Sequence, residues 1–347
     1  MNITNSKKRI TIKLTALVLV FVLLSTALSS CGSARDKKVV GTVGDYEVLY
    51  EEFYFLTTSY KDSLEAKYGD YETLDAEKAK AFDDELRELV YSNITANYAI
   101  LSICADAGLT LEDEELDARV DEYVDALVIS SFGGSKRDYK AALSEFGLTD
   151  HYVRFTAAVD ILYSDLATKM LADSEIENDD AKLKEIIKNE FARTWHIMIF
   201  NDAGDDVEAN RAKAEEALAK YKDGSMSMYK LIGSTYNEDL SITELDGIYF
   251  AKGSMNETYE EAAFALEVGE ISDVIEMVAA NSKGEMVNAF CILQRLEIED
   301  DYVNKNLDDL KQKYVDSIMY GLVEEKQESL TFTPNDFAKG LDLAALK

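Results

Sequence analysis

The stretch Thr194-Trp195-His196-Ile197-Met198-Ile199-Phe200 decides the fold. Residues 195–200 read as a strand, because a short run of bulky apolar side chains suits a strand buried on both faces. The pattern changes at Arg193, where helical periodicity gives way to this run. Downstream, residues 207–221 return to helical spacing and Asp223-Gly224 turns the chain. A further helix is expected over 226–234, then an irregular stretch to Gly253 and a short helix over 259–266. Residues 272–278 and 287–296 read as two more strands. Together these elements predict an α+β unit over residues 190–298.

The flanks are of a different kind. Val39-Val40-Gly41-Thr42-Val43 and Tyr46-Glu47-Val48-Leu49 enclose Gly44-Asp45 and predict a small hairpin. Leu86, Leu89, Val90, Ile94, Tyr98, Leu101 and Cys104 recur at helical spacing, and Gly108 suits the end of that helix. Thr110 and Asp113 resemble a capping box before a helix expected to bury Leu116, Val120, Tyr123, Val124 and Leu127. Gly133-Gly134-Ser135 breaks it, and helices are expected over 139–146, 150–171 and 178–191. After the α+β unit, Leu307, Leu310, Tyr314, Ile318 and Leu322 form an apolar stripe that needs a partner surface. The first helical region is the natural partner. The expected class is therefore α+β, with a helical domain over 39–189, the unit at 190–298 inserted, and 299–347 packing back on the helical domain.

The amino terminus carries an address. Lys7, Lys8, Arg9 and Lys13 precede an apolar run over 14–28 that is too short for a good membrane span. It suits the hydrophobic region of a secretory signal over 1–30. The run closes on Leu28-Ser29-Ser30-Cys31, which resembles a lipobox. Cys31 is thus the expected lipid attachment site, followed by a tether to residue 38, on the extracytoplasmic face of a cell membrane. Without the four basic residues of the signal, 32 basic residues face 67 acidic ones, a net charge of −35. Such a chain is not a nucleic-acid binder, which needs a basic patch. It is also repelled by anionic headgroups, so the lipid must do the anchoring.

Cys104 and Cys291 lie in apolar stretches, as two buried thiols or as a disulfide partnered in an oxidising compartment. Only His151 and His196 supply imidazole, which excludes a multi-histidine metal site, and no loop has EF-hand calcium spacing. No metal is expected. A content of 47% hydrophobic residues is enough for proper cores, and the single proline, Pro334, leaves long helices unbroken.

The central unit resembles the parvulin-type peptidyl-prolyl isomerases. The resemblance rests on Thr194 to Ile199, on Tyr236-Asn237-Glu238-Asp239, on Gly253-Ser254-Met255 through Tyr259 to Leu266, and on Gly269-Glu270-Ile271-Ser272, in the family's order. The hairpin-plus-helices start, with Ala107-Gly108-Leu109-Thr110 before an acidic helix, is similar to the amino-terminal domain of SurA- and PrsA-type foldases. The resemblance implies that His196 is the first active-site histidine and Asp239 the family's cysteine-or-aspartate. It implies that Met255 and Tyr259 line a proline pocket, Tyr259 standing where a phenylalanine is usual. The pocket leucine falls at Gly247 or, with one gap, at Ile248, after a double-glycine turn reduced to Leu245-Asp246-Gly247. The second histidine, on the last strand, is replaced by Cys291, whose thiol is a weak donor. Rotation about an X–Pro amide cleaves no bond, so no cofactor is implied.

Three functions follow from this reading. The first is a membrane-tethered foldase that binds unfolded or X–Pro-containing secreted polypeptides and isomerises them. The second is a holdase that kept the fold without the catalysis. The third is a solute-binding lipoprotein, which requires alternating β–α units and a two-lobed cleft. Clients and oligomeric state are not encoded in any motif.

Overall fold

A computed structural model describes residues 38–202, 204–239, 246–283 and 286–346, so the expected signal, Cys31 and Leu245 lie outside the described residues. The chain divides into two compact units, Met1–Asp173 with Leu322–Lys347, and Ser174–Gly321.

In the first unit, β1 (Val39–Val43) and β2 (Tyr46–Leu49) pair antiparallel across the Gly44-Asp45 turn. Gly44 has φ of 55°, a conformation that side chains resist. The chain then enters α1 (Tyr50–Tyr68) without a loop. α2 (Ala76–Asp106) starts at Asp75, whose carboxylate accepts from the Glu77 and Lys78 N–H groups. Leu86, Val90, Ile94, Tyr98, Leu101 and Cys104 are buried along it at the expected spacing. α3 (Glu114–Phe132) is capped by Asp113, which accepts from the Glu115 N–H, so the box expected from Thr110 does not form. Tyr123 is 49% exposed and Val128 takes the inward position instead. Gly133, in the left-handed region, ends α3; Ser135 caps α4 (Lys136–Glu145) and Thr149 caps α5 (Asp150–Ala172).

The second unit opens with α6 (Asp180–Glu190) and β3 (Ala192–Phe200). It continues through α7 (Val207–Lys222), α8 (Met228–Ile232), β4 (Ile248–Phe250), α9 (Glu257–Ala265), β5 (Ile275–Ala280) and β6 (Met286–Leu296). The strands form one antiparallel sheet in the order β4-β3-β6-β5. β3 and β6 pair along their length, from Arg193 opposite Leu296 to Phe200 opposite Ala289. Alternation then sends Met198, Phe200, Cys291 and Leu293 to the face covered by α9. Ile197, Ile199, Phe290 and Ile292 go to the other face, against α7 and α8. The unit extends beyond 190–298 because Ile187 and Phe191 pack with Tyr249 and Ala251, with Val303 of α10 (Asp300–Lys305), and with Leu310.

Leu310 belongs to α11 (Leu307–Glu328), whose last residues fall in the first unit. After it, β7 (Phe332–Pro334) pairs with β1, placing Pro334 opposite Gly41 in the sheet order β2-β1-β7. Pro334 therefore lies on an edge strand, where its missing N–H does not interrupt a ladder. Phe332 is buried against Phe53 and Tyr91, and a phenylalanine so placed contributes about 1.5–3 kcal/mol. α12 (Asp336–Lys339) closes the chain.

Cys104 and Cys291 are both buried free thiols, one of the two arrangements left open by the sequence. Among the described residues no helix is long and apolar enough to cross a membrane. Every strand pairing there is antiparallel.

Candidate active site

β4 pairs with β3 only over Ala192–Thr194, leaving the backbone of the far end of β3 without a strand on that side. The loop after α8 fills the gap. Asn237 accepts from the Met198 N–H at 3.0 Å, the Glu238 N–H donates to the Met198 carbonyl at 2.8 Å, and the Glu238 carboxylate accepts from the Phe200 N–H at 2.8 Å. A buried backbone N–H left alone would cost about 1–3 kcal/mol, so these bonds fix the loop along the strand. Asn237 also donates through Nδ2 to the Asp239 carbonyl at 2.6 Å. Asp239 is thereby delivered to the side of His196.

His196 is buried, with its side chain 4% exposed, whereas that of Asp239 is 21% exposed. His196 Nε2 lies 2.9 Å from Asp239 Oδ2. Its Nδ1 lies 2.9 Å from the Tyr259 hydroxyl, which is in turn 2.7 Å from Thr194 Oγ1. The two rings meet edge to face at 84° with centroids 5.5 Å apart. Tyr259 reaches this point from the first turn of α9, where Asn256 caps the helix by accepting the Tyr259 N–H. Thr194, Tyr259, His196 and Asp239 thus form a row of polar groups that ends at the surface on a carboxylate.

Tyr259 also belongs to the apolar cluster with Met198, Phe250, Cys291 and Leu293. Met255 and Ile248, the expected pocket residues, are partly buried and pack against that cluster. Cys291 is fully enclosed on β6, opposite Met198 rather than His196, which faces Leu293. Burial, helped by the charge of Asp239, pushes the Cys291 thiol up and keeps it neutral. Burial likewise pushes the Tyr259 hydroxyl up, with the charge of Asp239 adding to it. Neither group is set to act as an anion.

The turn into β4 is also constrained. Gly247 has φ of 74°, and a Cβ there would lie 2.7 Å from the Thr194 carbonyl, so only glycine fits beside β3. Arg193 holds the same turn, donating to the Asp246 carbonyl at 2.6 Å and to the Glu297 carbonyl at 2.8 Å.

Of the residues named from the sequence, His196, Asp239 and Tyr259 converge through hydrogen bonds, and Met255, Ile248 and Cys291 join them through the apolar cluster. Thr194 and Asn237 lie within the motifs that carry the resemblance, which implies no role for either. The signal for Asn237 was available, since an asparagine two residues before the aspartate can bond its own loop. Thr194 meets Tyr259 across 65 positions of sequence, which no local spacing reveals. Among the described residues no group of three or more His, Cys, Asp or Glu side chains could hold a metal ion.

Residues 1–167 match the model of the SurA-like N-terminal domain. Foldase protein PrsA of Oceanobacillus iheyensis is 31% identical over 121 residues, covering 34% of this chain and 37% of that protein. PrsA of Staphylococcus aureus is 31% identical over 166 residues, covering 46% and 49%. The matched stretches span about half or less of these relatives. Among solved structures, foldase protein PrsA of Streptococcus pneumoniae aligns with 84% of this chain and 93% of its own at 19% identity, with a TM-score of 0.31. The peptidylprolyl isomerase PrsA of Bacillus anthracis aligns with 68% and 94% at 18% identity, with a TM-score of 0.33. Over its first 167 residues the chain is thus similar to the SurA-like N-terminal domain, and the relatives that it matches over part of their length are PrsA foldases.

Proposed function

We propose that this chain is a lipid-anchored extracytoplasmic foldase whose second unit is parvulin-like and isomerises X–Pro bonds. The observation that carries the reading is the convergence of Asp239, His196 and Tyr259 at the edge of an apolar cluster that also holds Met255 and Ile248. The SurA-like match and the PrsA relatives support the same class.

The chemistry needs little machinery. Resonance in a planar amide puts negative charge on the carbonyl oxygen and draws density from nitrogen, and breaking it sets a barrier of about 18–20 kcal/mol. Twisting returns that charge to nitrogen. A carboxylate beside the carbonyl oxygen therefore opposes the planar form more than the twisted one, which lowers the barrier. Asp239 is the member of the row that reaches solvent, so it is the group to face the substrate carbonyl. His196 positions it from beneath. Met255 and Ile248, both partly exposed, offer the apolar wall for the proline, backed by the enclosed ring of Tyr259, and the dryness of this cluster strengthens the charge effect. Cys291 contributes a small, neutral floor to this wall.

The anchor is a separate part of the proposal. Cys31 would carry the lipid, and a Cys31→Ser variant should lose incorporation of a tagged fatty acid. The catalytic part is tested by cis–trans exchange of a proline peptide with the full chain. Wild type should accelerate exchange and His196→Ala should abolish most of the gain. Equal rates for both would remove the enzyme claim and leave the holdase, which the replacement of the second histidine by an enclosed thiol favours.

A further inference from the structure

The row from Thr194 to Asp239 has only one self-consistent set of proton positions while Asp239 is ionised and His196 is neutral. An ionised Asp239 can only accept, so His196 Nε2 must carry the hydrogen in the 2.9 Å contact. A neutral imidazole then offers Nδ1 as an acceptor, so the Tyr259 hydroxyl must donate to it across 2.9 Å. That uses the one proton of the phenol, and its oxygen accepts from Thr194 Oγ1 at 2.7 Å. Every donor in the row points toward the carboxylate.

We infer that Tyr259, through its hydroxyl and with Thr194 behind it, is a positioning residue that fixes the tautomer of His196 and so the aim of Asp239. The inference rests on the isomerase reading for its catalytic consequence, but not for the tautomer itself. Three features support it. The partner of His196 on β6 is Leu293, which offers the imidazole no polar side chain, and the expected second histidine is the enclosed Cys291. The hydroxyl comes instead from α9, at a position where a phenylalanine was expected to serve only as pocket wall. Moreover, Tyr259 is 1% exposed, so water is a poor substitute for its hydrogen bond. The phenol also tolerates protonation of His196. Once both ring nitrogens donate, the hydroxyl accepts from Nδ1 and turns its own proton to Thr194. A phenylalanine could do neither.

The chain has only two histidines, so imidazole nitrogens can be read directly in the full chain labelled with ¹⁵N-histidine, with His151→Gln to assign them. At pH 8 wild-type His196 should be a single tautomer with hydrogen on Nε2. Tyr259→Phe keeps the ring, removes the hydroxyl and should shift His196 toward a mixture of tautomers. It should lower kcat for exchange by about 10-fold while changing KM less than about 2-fold, since the lost bond orients and does not bind. Thr194→Val should lower kcat by about 3-fold and Thr194→Ser should restore it. Should Tyr259→Phe fail to fold, the Thr194 pair carries the same comparison. Hydrogen on Nδ1 in the wild type overturns the inference, as does a Tyr259→Phe protein with unchanged tautomer or unchanged kcat. If the wild type shows no exchange activity, the isomerase reading fails alone. The tautomer comparison still decides this one, a change on Tyr259→Phe supporting it and no change overturning it.

Discussion

Each unit of the molecule pairs one of the two histidines with a carboxylate, and the two pairs are built inside out from one another. In the first unit Glu51 is buried and His151 faces solvent, with side chains 4% and 55% exposed. In the second, His196 is buried and Asp239 is the outer member, at 4% and 21%. Glu51 also accepts from Thr149, the cap of α5, and its neighbour Glu52 accepts from Asn97 at 2.9 Å and Tyr98 at 3.0 Å on α2. The glutamates thus fasten α1 to two other helices, with their charge turned inward. Asp239 presents its charge outward, at the edge of an apolar cluster. Similar residue types serve packing in one place and, on the function proposed above, a ligand in the other, and the orientation of the carboxylate makes the difference.

The largest expected effect probes Glu52, the inward-facing neighbour of Glu51. Burial raises Glu52 from a usual 4.5 to about 7, against the hydrogen bonds of Asn97 and Tyr98, which lower it. Between these values the folded chain keeps a proton that the unfolded chain releases, so this contribution is complete below pH 4.5 and is lost as pH rises through 7. Glu52→Gln removes the titration. Its effect on unfolding free energy should be more stabilising at pH 8 than at pH 4 by on the order of 3 kcal/mol. Denaturant unfolding at the two pH values measures this, and parallel curves for both proteins would break the inward reading. The same substitution should leave proline exchange untouched.

Next comes the outward pair. Asp239→Asn should lower kcat/KM for exchange by about 30-fold, or about 2 kcal/mol of transition-state stabilisation, with little change in stability. Loss of stability without loss of rate would make Asp239 another packing carboxylate. Asn237→Ala strips the partner from the Met198 N–H and should cost about 1–2 kcal/mol in unfolding, with a rate loss from the released Asp239 loop. Smallest is His151→Ala. Because that imidazole is solvated, its removal should cost at most about 1 kcal/mol. A cost several times larger would mean that Glu51 depends on His151 as Asp239 depends on His196.

Much of this was legible in the chain, for physical reasons that can be named. Gly44-Asp45 marks the hairpin because its turn demands a positive φ, and the 195–200 run marks β3 because both its faces are covered. α1 was missed because its aromatic and β-branched residues read as no clear helix, and because its buried face includes Glu51 and Glu52, which look like surface residues. β4 and β7 are three residues each and acquire strand character only from β3 and β1 beside them. At the site, His196, Asp239 and the pocket residues could be named by resemblance. A buried tyrosine hydroxyl needs a partner, but the partners of Tyr259, Thr194 and His196, are assigned by tertiary packing of α9 on the sheet.

The central claim is that Asp239, aimed by His196, lowers the barrier to X–Pro rotation. Exchange spectroscopy on a labelled proline peptide measures it most directly, with the full chain and its Asp239→Asn variant at equal concentration. Catalysed exchange by the wild type that falls by about 30-fold in the variant is the predicted result. Exchange at the uncatalysed rate with both proteins, or at the same accelerated rate with both, would contradict it.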